Sequence, residues 1–294
     1  YFDEAELDKR IERRAKFGNT RFPLLFIDSF DHKTRAIARG HVGMLMAPWK
    51  RGKGLMFIHL ALSYALQDLN VLYFTLEDPK ADVEDRFDAA VSALPLTRLV
   101  DLPNKLRKRF LRQKELIRGR IKIIDGTGGE MTLSHMEDIY DDSRNEGFNA
   151  DVTLCDYDEY VKTERKRDTR RDEYEDIYIR YVNWMQRDNM IGWIASQTDA
   201  DTQNSKIIHG STTVDNRGKA RKVALAVGLG QGDFGDNSIY FWVDAHRYGR
   251  QKFGFTLMAD KKRMIFYDRI KTERIQELER QKREHGEDDE QSHN

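Results

Sequence analysis

The feature that most constrains this chain is a junction. An apolar run, Val42–Met46, leads into Ala47-Pro-Trp-Lys-Arg-Gly-Lys-Gly54, and the segment Lys53–Leu66 is apolar on most faces. A strand, a glycine- and lysine-rich turn and a buried helix in succession lay the strand inside a sheet and return the chain over one face of it. The alternation continues. Val71–Leu76 is a continuous apolar strand, Val83, Phe87, Ala90 and Leu94 recur at helical spacing, and Ile121–Ile124 and Val152–Cys155 are two more strands. Residues 172–189 predict a helix with Ile177, Tyr181 and Trp184 on one face, and Ile191–Ala195 predicts a fifth strand. Strands without a polar face, alternating with helices, predict an α/β fold with a mainly parallel central sheet flanked by helices. After Ala224 the pattern changes. Strand-like runs at 224–229, 238–244, 252–258 and 264–268, joined by short turns, predict antiparallel C-terminal hairpins on one edge of the sheet.

The two ends read differently. Residues 3–17 form a charged helix whose apolar positions are Leu7, Ile11 and Phe17. So few anchors contribute little to a core, which leaves two readings, a frayed terminus or an arm that docks on a neighbouring subunit. From Lys271 onward the chain is almost entirely charged and polar, the composition of a disordered tail. The expected organisation is an arm helix over 1–20, one α/β domain over 21–270 and a tail over 271–294.

Lys and Arg total 50, Asp and Glu also total 50, and the net charge of the 294 residues is zero. A zero sum argues against a nonspecific polybasic binder but permits a local basic surface. Cys155 is the single cysteine, so no disulfide forms within the chain and a reducing, cytoplasmic compartment is expected. The apolar runs fall far short of the ~20 residues that cross a bilayer, so no membrane association is expected. The chain begins at Tyr1 rather than Met and reads as a piece of a longer one.

The junction follows the pattern G-x-x-x-x-G-K-[ST], a phosphate-cradling loop between strand and helix. Gly52 and Lys53 occupy the glycine and lysine positions, and Ala47, Lys50, Arg51 and Gly54 complete the candidate set. Backbone N–H groups at a helix N-terminus bind phosphate, and the lysine adds a mobile charge. Two positions depart: Ala47 stands for the first glycine and Gly54 for the hydroxyl residue. The usual hydroxyl binds magnesium. Glycine cannot, so a metal here must rely on water or on another residue.

Three strand ends add candidates. Glu77 follows VLYFTL, where a carboxylate faces the ligand crevice of a parallel sheet and can orient an attacking water. Asp78 beside it is the better helix cap, with a helix opening at Pro79. Asp156 ends VTLC; it is either a magnesium ligand or a turn former, with Asp158 and Glu159 close by. Ser196-Gln197 ends IGWIA, where it either reads a terminal phosphate or simply turns the chain.

With APWKRGKG, VLYFTLED, VTLCDYDEYV, the helix around EYEDIYIRYVNWMQRDN, IGWIASQ and VDAHRYG in this order, the chain resembles the RecA-like motor domain of DnaB-type replicative helicases, especially divergent phage versions, over residues 20–268. The resemblance implies a RecA-like P-loop NTPase fold, ATP and Mg2+ as cofactors, and translocation on single-stranded DNA. It implies that Lys53 binds the β/γ-phosphates, Glu77 polarises water, Asp156 helps hold magnesium and Gln197 senses the γ-phosphate. Arg247 matches an arginine that reaches a neighbouring subunit's nucleotide, whereas the accompanying lysine position is Ala245. Such an arginine works only if subunits assemble head to tail, so a homohexamer is implied, with a primase or helicase loader as further partners. For a phage-encoded version the location is the host cytoplasm.

DNA contacts are expected from the loop 199–213 and from Arg217, Lys219, Arg221 and Lys222, a basic stretch that also reads as a solvated helix face. The run 162–171 reads first as a surface loop. Two other functions fit the residues. Gly54 and Ala245 favour a ring protein with little hydrolysis that acts as a scaffold on DNA or protein. A RecA-like recombination or annealing protein would share the fold but form a filament.

Overall fold

The computed structural model of the protein describes residues 3–17, 22–164, 167–213 and 218–268. The tail over 271–294 and Arg217 lie outside the described residues.

Among the described residues, nine strands form one sheet in the order β3-β2-β4-β5-β1-β6-β7-β8-β9. The strands are β1 (His41–Ala47), β2 (Val71–Thr75), β3 (Ile121–Asp125), β4 (Val152–Asp156), β5 (Ile191–Gln197), β6 (Leu225–Gln231), β7 (Ser238–His246), β8 (Phe253–Asp260) and β9 (Ile265–Asp268). The first six in that order run parallel, and β7, β8 and β9 continue antiparallel. The helices are α1 (Glu4–Phe17), α2 (Asp28–Asp31), α3 (Lys53–Leu66), α4 (Lys80–Ser92), α5 (Pro103–Lys114), α6 (Leu133–Asn145), α7 (Arg170–Arg187) and α8 (Lys219–Lys222).

Alternation along each buried strand divides the core into two layers. On β2, Val71 and Tyr73 join α3 side chains such as Phe57 and Tyr64 on one face. Leu72 and Phe74 join α6 and α7 side chains such as Met136, Tyr178 and Tyr181 on the other. Both faces are therefore dry, which is why these strands read as unbroken apolar runs. Within the α3-side layer, the Trp193 indole donates to the Tyr64 hydroxyl at 2.7 Å, and both rings are fully buried.

One strand differs from expectation. The run at 224–229 becomes β6, which pairs parallel with β1 and antiparallel with β7. It is the strand on which the sheet changes sense, and its burial at six of seven positions suits an interior strand rather than a hairpin edge. Two helices were absent from the sequence pattern. α5 has no buried residue, and α6 buries only Leu133, Met136, Tyr140 and Ser143. α1 forms as expected, with Leu7 and Ile11 exposed.

Replacing Trp193 with alanine is expected to cost about 3–5 kcal/mol, the usual loss for truncating a buried tryptophan. The buried Tyr64 hydroxyl would also lose its donor. Urea denaturation of the parent and the variant measures the difference.

Candidate functional site

Parallel pairing brings the strand ends together. Ala47 pairs with Gln197, and Thr75 pairs with Asp156. The expected residues on β1, β2, β4 and β5 therefore meet at one edge of the sheet, where ligands of open α/β sheets bind. An open cleft of about 520 Å³ lies there, lined among others by Gly52, Lys53, Gly54, Glu77, Asp78 and Asp156.

The loop from β1 to α3 is built for close approach. Gly52 caps α3 with a left-handed φ of 91°, which glycine adopts without strain, and no side chain caps the helix. The first N–H groups of α3 thus have no side-chain acceptor, the condition for binding an anion. Lys53 is 8% exposed. Burial lowers its pKa, opposed by the charges of Asp156, Glu77, Asp158 and Glu159. It is a cation in an acidic, partly dry surrounding.

The other loop residues behave differently. Lys50 has a positive φ of 57° and sets its ammonium 3.9 Å from the Trp49 ring centroid. Arg51 donates through Nε and Nη2 to the Gln203 carbonyl, at 3.1 and 2.8 Å. Gln203 Nε2 donates back to the Trp49 carbonyl at 3.2 Å, and the Thr198 N–H donates to the Ala47 carbonyl at 3.2 Å. Arg51 therefore ties the phosphate loop to the segment after β5.

Glu77 sits at the exposed rim. Partial burial raises its pKa, Asp78 adds to this, and Lys53 and Arg86 work against it. Asp78 is not the helix cap expected of it. Its carboxylate accepts from Arg86 Nη1 at 2.5 Å, while α4 starts after Pro79 without a side-chain cap. Arg86 lines the cleft and was not foreseen, because an arginine inside an exposed, charged helix carries no sequence signal of its own.

Asp156 is buried at the cleft floor. Burial pushes its pKa up to about 6, although the Tyr73 hydroxyl, donating at 3.0 Å, and Lys53 hold it down. These residues fit a magnesium site poorly. Gly54 offers no hydroxyl, and Asp156 Oδ2 already accepts from Tyr73.

Asp158 turns away from the cleft. It accepts from Lys219 Nζ and from the Tyr178 hydroxyl, both at 2.9 Å. Lys219 corrects an expectation. It lies inside the protein with its side chain fully buried, donates to Ser196 Oγ at 3.2 Å and sits 3.4 Å from the Tyr174 ring centroid. A lysine in a buried ion pair has no face to offer DNA. Its neighbour Arg221 is exposed, and Lys222 pairs with Glu175 at 2.7 Å. The loop 199–213 is pinned to β7 by Asp244, whose carboxylate accepts from the Gly210 N–H and contacts His209 Nδ1, both at 2.8 Å. Burial pushes the Asp244 pKa up, but these bonds and Lys252 prevail and hold it at about 2. Arg247 is exposed just after β7, and the Ala245 position has no cation.

No protein-family model matches the sequence, and no curated protein matches it either. Solved structures do match. The chain is similar to the ATPase domain of G40P, with a TM-score of 0.75 and 13% identity over 91% of this chain and 98% of that one. It is also similar to a DnaB-like replicative helicase, solved in a study of its interactions with primase, with a TM-score of 0.71 and 14% identity. That match covers 90% of this chain and 66% of the helicase. The fold is that of DnaB-like, RecA-type helicase domains.

Two outcomes test the site's electrostatics. Lys219→Met is expected to cost about 3–5 kcal/mol, because it strands a buried carboxylate. Adding Asp158→Asn should recover part of that loss in urea denaturation. For Asp156, the folded pKa of about 6 exceeds the ordinary 3.8, so the folded state binds this proton more tightly. Its contribution to stability is full below about pH 4 and is lost as pH rises through about 6. Asp156→Asn should flatten stability against pH across that window.

Proposed function

We propose that this chain is a nucleoside-triphosphate-driven motor of the DnaB-like replicative helicase kind, of phage type, acting on single-stranded DNA. The observation that carries this reading is the cleft at the strand ends, where a buried Lys53 at an uncapped helix N-terminus faces Glu77 across the place a triphosphate would lie. The likeness in fold to DnaB-like domains supports it.

In this mechanism the phosphates of ATP lie on the first turn of α3, and Lys53 neutralises the outer ones. Glu77, whose pKa is raised, accepts a hydrogen bond from the attacking water and orients it in line with the γ-phosphate. Gln197, next to Ala47 in the sheet, lies where a terminal phosphate can be read. The Arg51–Gln203 and Gln203–Trp49 bonds then transmit a shift of the phosphate loop to the loop 199–213. That loop and the exposed Arg221 are the DNA contacts in this proposal. Arg247 acts across a head-to-tail interface in a hexamer, with α1 docking its exposed Leu7 and Ile11 on a neighbour. Primase or a loader would be further partners of the ring.

A second reading is favoured by one observation, the poor fit of the cleft to magnesium: a ring that binds nucleotide with little turnover and serves as a scaffold. One experiment separates the two. ATP hydrolysis is measured with and without single-stranded DNA in the parent, Lys53→Ala and Glu77→Gln. The motor reading expects DNA-stimulated turnover that falls about 10²–10⁴-fold in Glu77→Gln, the usual contribution of a general base, and that disappears in Lys53→Ala. A folded, oligomeric parent that binds ATP without turning it over would favour the scaffold.

A further inference from the structure

The residue at position 54 and the side chain opposite it belong to one arrangement. A Cβ built at Gly54 would lie 3.3 Å from Arg86 Nη1 and 3.9 Å from Asp156 Oδ2. The first distance is tighter than an ordinary contact, so a serine or threonine there would press on the guanidinium. Arg86 Nη1 and Asp156 Oδ2 therefore both border the start of α3, the space that a hydroxyl-bound metal would share with that carboxylate. α4 carries it there, and the Asp78 carboxylate holds it at 2.5 Å.

We propose that the Arg86 guanidinium takes the place of the divalent cation, so that the cleft binds the triphosphate of a nucleotide without metal. This rests on the reading of the cleft as a nucleotide site.

The chemistry of the group fits. A guanidinium is permanently charged and presents five N–H donors in a planar fork that matches phosphate oxygens in pairs. Asp78 uses Nη1, and Nε and Nη2 make no hydrogen bond with the described residues. The Arg86 side chain is 25% exposed, so those donors reach the cleft that it lines. The Asp78 and Asp156 charges keep its pKa raised against burial. With Lys53 from the loop and Arg86 from α4, two cations flank the phosphate position from different elements. Asp156, which in a metal site would turn its oxygens to the ion, is instead bonded to Tyr73 and lies beside Arg86. The missing hydroxyl at Gly54 thus coincides with a cation close to the same space.

Calorimetric titration of the full chain with ATP, in excess EDTA and in excess magnesium, tests this directly. The proposal expects dissociation constants within about threefold of each other, a difference under 1 kcal/mol. Binding in magnesium that weakens tenfold or more in EDTA would overturn it and leave the nucleotide reading intact. Absence of binding in both buffers would sink both. In EDTA, Arg86→Ala is expected to weaken ATP by about tenfold or more, the loss of a charged hydrogen-bond donor, with circular dichroism confirming the fold. Unchanged binding by that variant would also refute the assignment. Gly54→Ser combined with Arg86→Ala, which restores a hydroxyl and vacates the space, should bind ATP only when magnesium is present.

Discussion

The register of the parallel strands is the constraint on which the rest depends. Ala47 aligned with Gln197, and Thr75 with Asp156, set the ends of four strands at one level. Because side chains alternate with a period of two, a slip of one residue would turn Leu72 and Phe74 into the layer of Val71 and Tyr73. The buried faces therefore enforce the register, and the register delivers Lys53, Glu77 and Asp156 to a common cleft. No single contact among these residues has to hold the site together. The core does so, which leaves the loops above it free to carry chemistry.

Above that edge the loops are wired to one another by polar bonds rather than by packing. Arg51 donates to the Gln203 carbonyl and the Gln203 amide donates to the Trp49 carbonyl, which joins the β1–α3 loop to the segment after β5. Asp244 anchors the same segment further on, through Gly210 and His209, to a strand of the antiparallel extension. Lys219 joins Asp158 after β4 to Ser196 on β5 from within the core. Each bond crosses between elements that a nucleotide and a DNA strand would contact separately. A buried ion pair such as Lys219–Asp158 adds little net stability over an apolar pair. Its effect is to fix where the short helix α8 sits relative to the cleft.

The sequence was most readable where burial is two-sided. The interior parallel strands β1, β2, β4 and β5 announce themselves as largely apolar runs, and α3 matches its expected bounds of Lys53–Leu66. Legibility fails where burial is slight or where charge goes inward. α5 fully buries none of its residues, so its apolar stripe is weak. β6 is itself an apolar run, but only short turns separate it from its antiparallel successors, so nothing local marks where the sheet changes sense. Lys219 sits in a run with Arg221 and Lys222 that looks solvated, and only the partners Asp158 and Tyr174, distant in sequence, draw it inside. Asp78 looks like a cap because it precedes Pro79, but an arginine two turns along α4 claims it. Pairings of this kind are tertiary and leave no local pattern.

The departure at Gly54, beside Arg86, shows how such pairings change what a motif means. Read alone, a glycine at the hydroxyl position is a deletion, and it subtracts a ligand from a site that already concentrates negative charge. Read with its neighbour, it is a clearance, since a Cβ there would crowd the guanidinium at 3.3 Å. Phosphates need positive charge in the cleft whatever its source, and in a partly buried cleft each charge acts more strongly than in water. A rigid fork supplied by the protein costs no metal-binding equilibrium, but it carries one charge where magnesium carries two and cannot itself hold a water molecule as a ligand. Such a cleft can bind tightly and still turn over slowly. The same balance applies at Ala245, where the expected second cation near Arg247 is missing.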